Sequence, residues 1–300
     1  MQESHMSQII ELSRPRTLPL AFAVICCGNA LAYHDGNWHL PVFILSLLTA
    51  LSLQILSNIA NDYGDGIRGT DYVRPASAPR RLTATGRVSP AYMRRLLVVC
   101  TLASLVLGIA LLSVSALGRG GFLVFLGLGA LAITAAITVV IGRCAYGYHA
   151  LGEISVFTFF GLLGVLGSYY LQSGNWRPGL LLPASGCGLL AATVLNINNI
   201  RDITSDRAAG KQTLAVKLGF ERAKQLQYML LAAAACCYLA YALLNQAYTS
   251  LLWLLLLPLV STHARALHRA VDQMSAGEEL KRIVSCACGV NLLFSLGLCL

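Results

Sequence analysis

Acidic residues are scarce in this chain: 13 Asp and Glu stand against 22 Lys and Arg, and charged residues make up only 12% of it. Beside 56% hydrophobic residues, so little charge excludes an ordinary soluble domain, which buries a core with far less apolar surface. Lipid is the solvent that fits. Alternation of apolar and polar residues is also missing, which excludes a membrane barrel. Continuous apolar runs leave helices as the way to pair every backbone polar group in lipid. Cys-x-x-Cys pairs are absent as well. The ten cysteines lie in or beside apolar runs, and the lone Cys286-x-Cys288 has no His or acid cluster around it. They read as small packing residues, with no disulfide framework and no metal or redox centre. Residues 1–13 carry no cleavable signal pattern, so the first apolar segment is expected to be a retained span.

What is present is a series of nine apolar stretches: 17–33, 40–60, 95–116, 121–142, 152–172, 179–198, 225–244, 249–267 and 283–300. Each has about the 17–25 residues needed to cross the hydrocarbon core. The expected fold is an all-α integral membrane bundle of nine transmembrane helices in one domain. The net charge of +9 is accounted for by topology, since all but Arg119 and Arg177 of the 22 basic residues fall on one side. The positive-inside rule then puts the N-terminus and the long loops, 61–94 and 199–224, in the cytoplasm and the C-terminus outside. Nucleic acid is not needed to explain the bases.

The rare acids are gathered. Asp62, Asp65 and Asp71 lie in "NDYGDGIRGTD" (61–71), and Asp202 and Asp206 in "NNIRDITSD" (198–206). Asn61-x3-Asp65 and Asn198-x3-Asp202 share a spacing, and their run-ups "LQILSNIAND" and "TVLNINNIRD" are alike. This predicts an internal repeat of about four helices, with a site between the halves. Residues four apart on a helix share a face, so Asn61 and Asp65, Asn198 and Asp202, and Asp202 and Asp206 should each project together. Carboxylates stacked in this way repel one another unless a cation lies between them, and hard oxygen ligands suit Mg²⁺. Arg68, Arg80, Arg81, Arg201, Arg207 and Lys211 are interleaved with them. Acids and bases together at the mouth of an apolar bundle fit a Mg²⁺–diphosphate headgroup whose tail lies in the membrane. Gly161, Gly164 and Gly167 read as close-packing positions, and His263 and His268 as residues of the membrane interface.

These motifs, with "SRPRTLPLAF" (13–22) and "YGYHALGEISVFTFFG" (146–161), resemble the UbiA superfamily of intramembrane prenyltransferases. Within it they are most similar to the 1,4-dihydroxy-2-naphthoate polyprenyltransferases of menaquinone synthesis. The step of six residues from Asp65 to Asp71 is similar to that branch rather than to the 4-hydroxybenzoate enzymes. The resemblance implies transfer of a polyprenyl group from its diphosphate to 1,4-dihydroxy-2-naphthoate, with decarboxylation, in the bacterial inner membrane. It implies Mg²⁺ held by Asn61, Asp65, Asp71, Asp202 and Asp206, with Asp62 and Asn198 in lesser roles. It also implies Asp65, Asp202, Asp206 and Lys211 as catalytic, and Arg68, Arg80, Arg81, Arg201 and Lys211 as diphosphate ligands. Arg14, Tyr146, Tyr148, His149 and Glu153 are the expected aromatic-acceptor residues. Two other classes fit less well. CDP-alcohol phosphotransferases start with a similar Asp-x2-Asp-Gly but continue with Ala-Arg where this chain has Gly69-Thr70. A transporter with a midplane ion site would carry charge at mid-span, where this chain has almost none.

Overall fold

The computed structural model describes residues 5–68, 82, 86–138, 141 and 148–300, without the side chains of residues 5, 6 and 68. Regular structure among these residues is helical throughout. Among the described residues, nine segments are long and apolar enough to span a bilayer: Ser7–His34, Leu40–Ile67, Pro90–Val114, Arg119–Thr138, Gly152–Ser173, Pro178–Arg201, Phe220–Leu244, Tyr248–Arg269 and Gln273–Leu298. The number agrees with the apolar runs. The ends do not, because several helices continue past their apolar residues into polar sequence at the end that carries the acid motifs.

Local sequence explains the breaks. Helix α1 (His5–Ser13) stops at Arg14, whose backbone is left-handed at φ 48°, and α2 (Leu18–His34) starts after a turn at Pro15–Thr17. Helix α3 (Leu40–Arg68) carries the first acid motif. Helix α4 (Pro90–Val114) opens on a Ser89 cap that accepts from the Tyr92 N–H, with proline in the first turn, and α5 is Arg119–Thr138. The next span is composite: α6 (Gly152–Val156), a π-helical stretch over Phe157–Leu166, and α7 (Gly167–Ser173), which ends on Gly174 at φ 68°. Helix α8 (Leu181–Arg201) leads through the short α9 (Ile203–Ala208) and α10 (Leu214–Leu218) to α11 (Phe220–Leu244). Helices α12 (Leu257–Arg269), α13 (Gln273–Glu278) and α14 (Leu280–Leu298) complete the chain.

The bundle is unevenly packed. Helices α2, α8, α11, α14 and the π-helical stretch build one dense core, centred on Val24, Leu31, Tyr238 and Phe294, with the Tyr238 and Phe294 rings 4.6 Å apart. Glycines set its closest approaches. A Cβ on Gly161 would stand 2.6 Å from the Ala184 carbonyl oxygen, and one on Gly188 2.8 Å from that of Phe157. Gly164 is also crowded, by Val24, whereas a Cβ on Gly167 would meet side chains at ordinary distances of 3.7 and 3.8 Å. Gly167 lines a cavity instead, which corrects its reading as a packing glycine. Helices α4 and α5 bury few residues, and in α5 only Ala132 is buried.

Two polar clusters tie spans together. At the end of the bundle away from the acid motifs, Arg177 donates to Asp35 from Nε and Nη2 (3.2 Å each), to Asn245 (2.6 Å) and to the Tyr241 hydroxyl (3.1 Å). Tyr169 donates to the same Asp35 (2.7 Å). Elsewhere Asn196 donates to Gln227 (2.9 Å), and His263 joins Gln227 (3.3 Å) to Glu279 (2.9 Å), which pairs with Arg282. His263 is fully buried, so it is an interior residue and not the interface residue expected from its place near a helix end. The reason is that Glu279 and Gln227 satisfy both ring nitrogens.

Candidate active site

A cavity of about 1810 Å³ runs between the dense core and the thin wall of α3, α4 and α5. Its body is apolar, bordered by Leu53, Leu112, Ile133, Phe159, Phe160 and Leu163. Asn61, Asp62, Asp65, Asn198, Arg201 and Asp202 border it at the ends of α3 and α8. The two acid motifs, far apart in sequence, therefore meet at one opening.

The first motif is helical rather than part of a loop, since α3 runs to Arg68. Asp62 and Asp65 are buried. Tyr148 donates to Asp65 (3.3 Å), and Arg14 forms an ion pair with Asp62. Arg14 is thus held by a carboxylate of the chain itself, which gives Asp62 more than the marginal place expected of it. The left-handed backbone of Arg14 is the kind of strain that collects at functional sites.

The second motif, expected at the start of the 199–224 loop, spans a break between two helices. Asp202 closes α8 with φ −96° and ψ 7°, and Asp206 sits on α9. The two still remain a turn apart, because the Asp206 N–H donates to the Asp202 carbonyl (2.8 Å). Arg201 grips Asp202 with two hydrogen bonds of 2.7 Å and donates to Asn198 (2.8 Å). Its stem is confined by Gly277 of α13, where a Cβ would come within 2.5 Å. Lys211 lies 3.5 Å from Asp206 and over the Tyr148 ring, 5.8 Å from its centroid. Burial pushes the Asp206 carboxyl up to about 6; Lys211 opposes the rise, and the nearby charges of Asp202 and Asp65 add to it. Asp65 acting on Asp206 is the electrostatic sign that the motifs face each other.

Glu153 is buried and lines the cavity, accepting from Asn199 (2.8 Å). His149 is exposed and outside the cavity lining, and Tyr148 turns its hydroxyl to Asp65. Asp71, Arg80, Arg81, Tyr146 and the Arg68 side chain lie outside the described residues. Sequence reasoning passed over Thr17, Gln54, Asn58 and Thr213, which also line the cavity. Asn58 donates to Thr17 (2.9 Å) and to the Ser13 carbonyl (2.9 Å). The signal was available: Gln54, Asn58, Asn61 and Asp65 recur at helical spacing and extend the acid face of α3 inward.

Oxygen donors suited to a hard cation are present. Asn61 Oδ1 and Asp206 Oδ2 are buried without a hydrogen-bond partner among the described residues. Among the described residues no three Asp, Glu, His or Cys side chains converge closely enough to hold a metal alone. This is compatible with Mg²⁺, which commonly takes one or two carboxylates and completes its shell with water and phosphate oxygens.

Comparison with known proteins gives the same picture. A 1,4-dihydroxy-2-naphthoate octaprenyltransferase of Escherichia coli (strain K12) is 44% identical over 299 residues, 99% of this chain and 96% of that one. A protein of the same name from Mycobacterium leprae (strain TN) is 40% identical over 76% of this chain and 74% of its own. Among solved structures, a UbiA homolog from Archaeoglobus fulgidus bound to GPP and Mg²⁺ superposes with a TM-score of 0.65 at 16% identity, covering 97% of this chain and 99% of that one. A UbiA homolog from Aeropyrum pernix K1 does so with 0.64 at 21% identity, over 94% and 96%. The UbiA prenyltransferase family matches residues 20–287, and with nine apolar helices and paired acid motifs at one cavity mouth, the chain belongs to that family.

Proposed function

We propose that the protein transfers a polyprenyl group from polyprenyl diphosphate to 1,4-dihydroxy-2-naphthoate, with loss of the ring carboxylate as carbon dioxide, giving demethylmenaquinone in its reduced, hydroquinone form. The observation that carries this reading is one cavity, walled by both acid motifs and by cations at its mouth and apolar through its body. The names of the naphthoate relatives support the acceptor, and the Mg²⁺ and GPP of the Archaeoglobus neighbour support the donor class.

In this reading Asn61, Asp65, Asp202 and Asp206 hold Mg²⁺, helped by Asp62, Asn198 and Asp71. When bound, the ion supplies Lewis-acid stabilisation of the departing diphosphate. Arg201 and Lys211 add positive charge to the same oxygens, with Arg68, Arg80 and Arg81 proposed from the neighbouring segment. Tyr148 steadies Asp65 through its hydroxyl. Phe159 and Phe160 line the cavity and are aromatic residues suited to the positive charge that develops on the allylic carbon. The apolar walls keep out water, which competes for that carbon. Arg14 and Glu153, both lining the cavity, are proposed for the aromatic acceptor, together with Tyr146 and His149. The proposed location is the bacterial inner membrane, where the basic residues favour a cytoplasmic N-terminus and cytoplasmic acid motifs, and an odd number of spans then leaves the C-terminus outside.

Purified protein given Mg²⁺, a polyprenyl diphosphate and 1,4-dihydroxy-2-naphthoate should release pyrophosphate and carbon dioxide in equal amounts, and neither in excess EDTA. Turnover with 4-hydroxybenzoate but not with the naphthoate would sink the acceptor assignment and leave the fold intact.

A further inference from the structure

Glu153 carries an oxygen that no described residue satisfies. Its Oε1 accepts from Asn199 (2.8 Å), while Oε2 is buried without a hydrogen-bond partner among the described residues, and the residue is 7% exposed. Among the described residues no Lys, Arg or His forms an ion pair with it. Buried polar atoms are nearly always bonded, and one left open on a cavity wall calls for a ligand. Glu153 borders the cavity together with Val156, Phe159 and Phe160 of the same span and Val194 and Leu195 of α8. These are apolar and aromatic surfaces suited to a flat ring. Asn199 follows directly on Asn198 of the second motif, so the carboxylate is fixed relative to that motif.

An open carboxylate oxygen accepts a hydrogen bond and offers none. Of the groups the substrates bring, the diphosphate and the ring carboxylate are anions that such an oxygen repels. Only the ring hydroxyls donate. We propose that Glu153 accepts the acceptor hydroxyl adjacent to the carboxylate-bearing carbon and serves as the base for it, an inference that rests on the naphthoate reading above. As that carbon bonds to the allylic carbon and the carbon–oxygen bond of the diphosphate breaks, the hydroxyl proton passes to Oε2 and its oxygen becomes a ring ketone. The product is a β-keto carboxylate. Its carboxylate leaves as carbon dioxide, the electron pair of the broken carbon–carbon bond moves through the ring to the ketone oxygen, and Glu153 returns the proton there. No proton is consumed and no external reductant or oxidant is needed.

The test compares the wild type with Glu153→Gln in purified protein, on 1,4-dihydroxy-2-naphthoate and on its analogue with the adjacent hydroxyl methylated. On the true acceptor Glu153→Gln should lower kcat by about 100-fold or more, while binding of inorganic pyrophosphate with Mg²⁺ stays within about threefold of wild type, which reports an intact metal motif. On the methylated analogue wild type and Glu153→Gln should be equally slow, because the proton that Glu153 takes is gone. Wild-type turnover of the true acceptor matched within about threefold by Glu153→Gln, or rapid wild-type turnover of the methylated analogue, would overturn the role of Glu153 alone. A wild type inactive on the naphthoate would overturn the acceptor reading and this role with it.

Discussion

Asp65 and Asp202 are buried carboxylates, to which Tyr148 and Arg201 respectively donate. Asp65→Ala or Asp202→Ala should abolish pyrophosphate release while the protein stays folded and membrane-inserted, as circular dichroism and fractionation would report. Retained activity in both would refute the two-motif site. Tyr148→Phe removes one hydrogen bond to a charged group, worth about 1.5–3 kcal/mol, and should weaken Mg²⁺ binding roughly tenfold or more in a titration without substrate. The acids themselves were legible because charge is rare in this chain and these charges recur at matched spacing. Their partners were not. Arg14 on Asp62 and Tyr148 on Asp65 are contacts across 48 and 83 residues, and no local pattern encodes them. His263 was misplaced for the same reason: its position near a helix end suggested water, while Glu279 and Gln227 hold it inside.

Helices were legible where lipid dictates them and less so where polar groups extend them. Apolar length located all nine spans, yet α3 and α8 carry their acid motifs on helical backbone or at a helix end, because hydrogen bonding outlasts hydrophobicity at the cavity mouth. The break at Asp202 had no sequence warning such as proline or glycine. Glycine spacing in the composite span was read correctly at Gly161 and Gly164 and incorrectly at Gly167, since spacing does not tell which neighbour a face meets. The crowded and the open positions should respond differently. Gly161→Ala forces a methyl against the Ala184 carbonyl and should destabilise by about 1–3 kcal/mol, seen as a lower Tm in detergent. Gly167→Ala, whose methyl would meet Phe125 and Leu163 only at ordinary contact distances, should leave Tm within about a degree or raise it slightly. Equal losses at both sites would contradict the packing described.

Taken whole, the molecule is dense on one side and thin on the other, with the cavity between, and composition alone reveals neither the asymmetry nor the depth. Gly129 of α5 borders the cavity, and a Cβ added to it would meet nothing within 4 Å. Gly129→Leu should therefore fill space without disturbing the fold. It is expected to raise KM for long-chain donors at least several-fold and to spare short ones, as kinetics with donors of graded length would show; a uniform effect across lengths would place the tail elsewhere. The clasp of Arg177 on Asp35 has a different bearing, on the order in which the protein is made. Its two charges are 142 residues apart in the chain, so the hairpin containing Asp35 enters the membrane long before its counter-charge has been synthesised. Until the turn ahead of α8 follows, Asp35 waits without this cation, and the first five spans exist as a half-built assembly that only the later sequence locks.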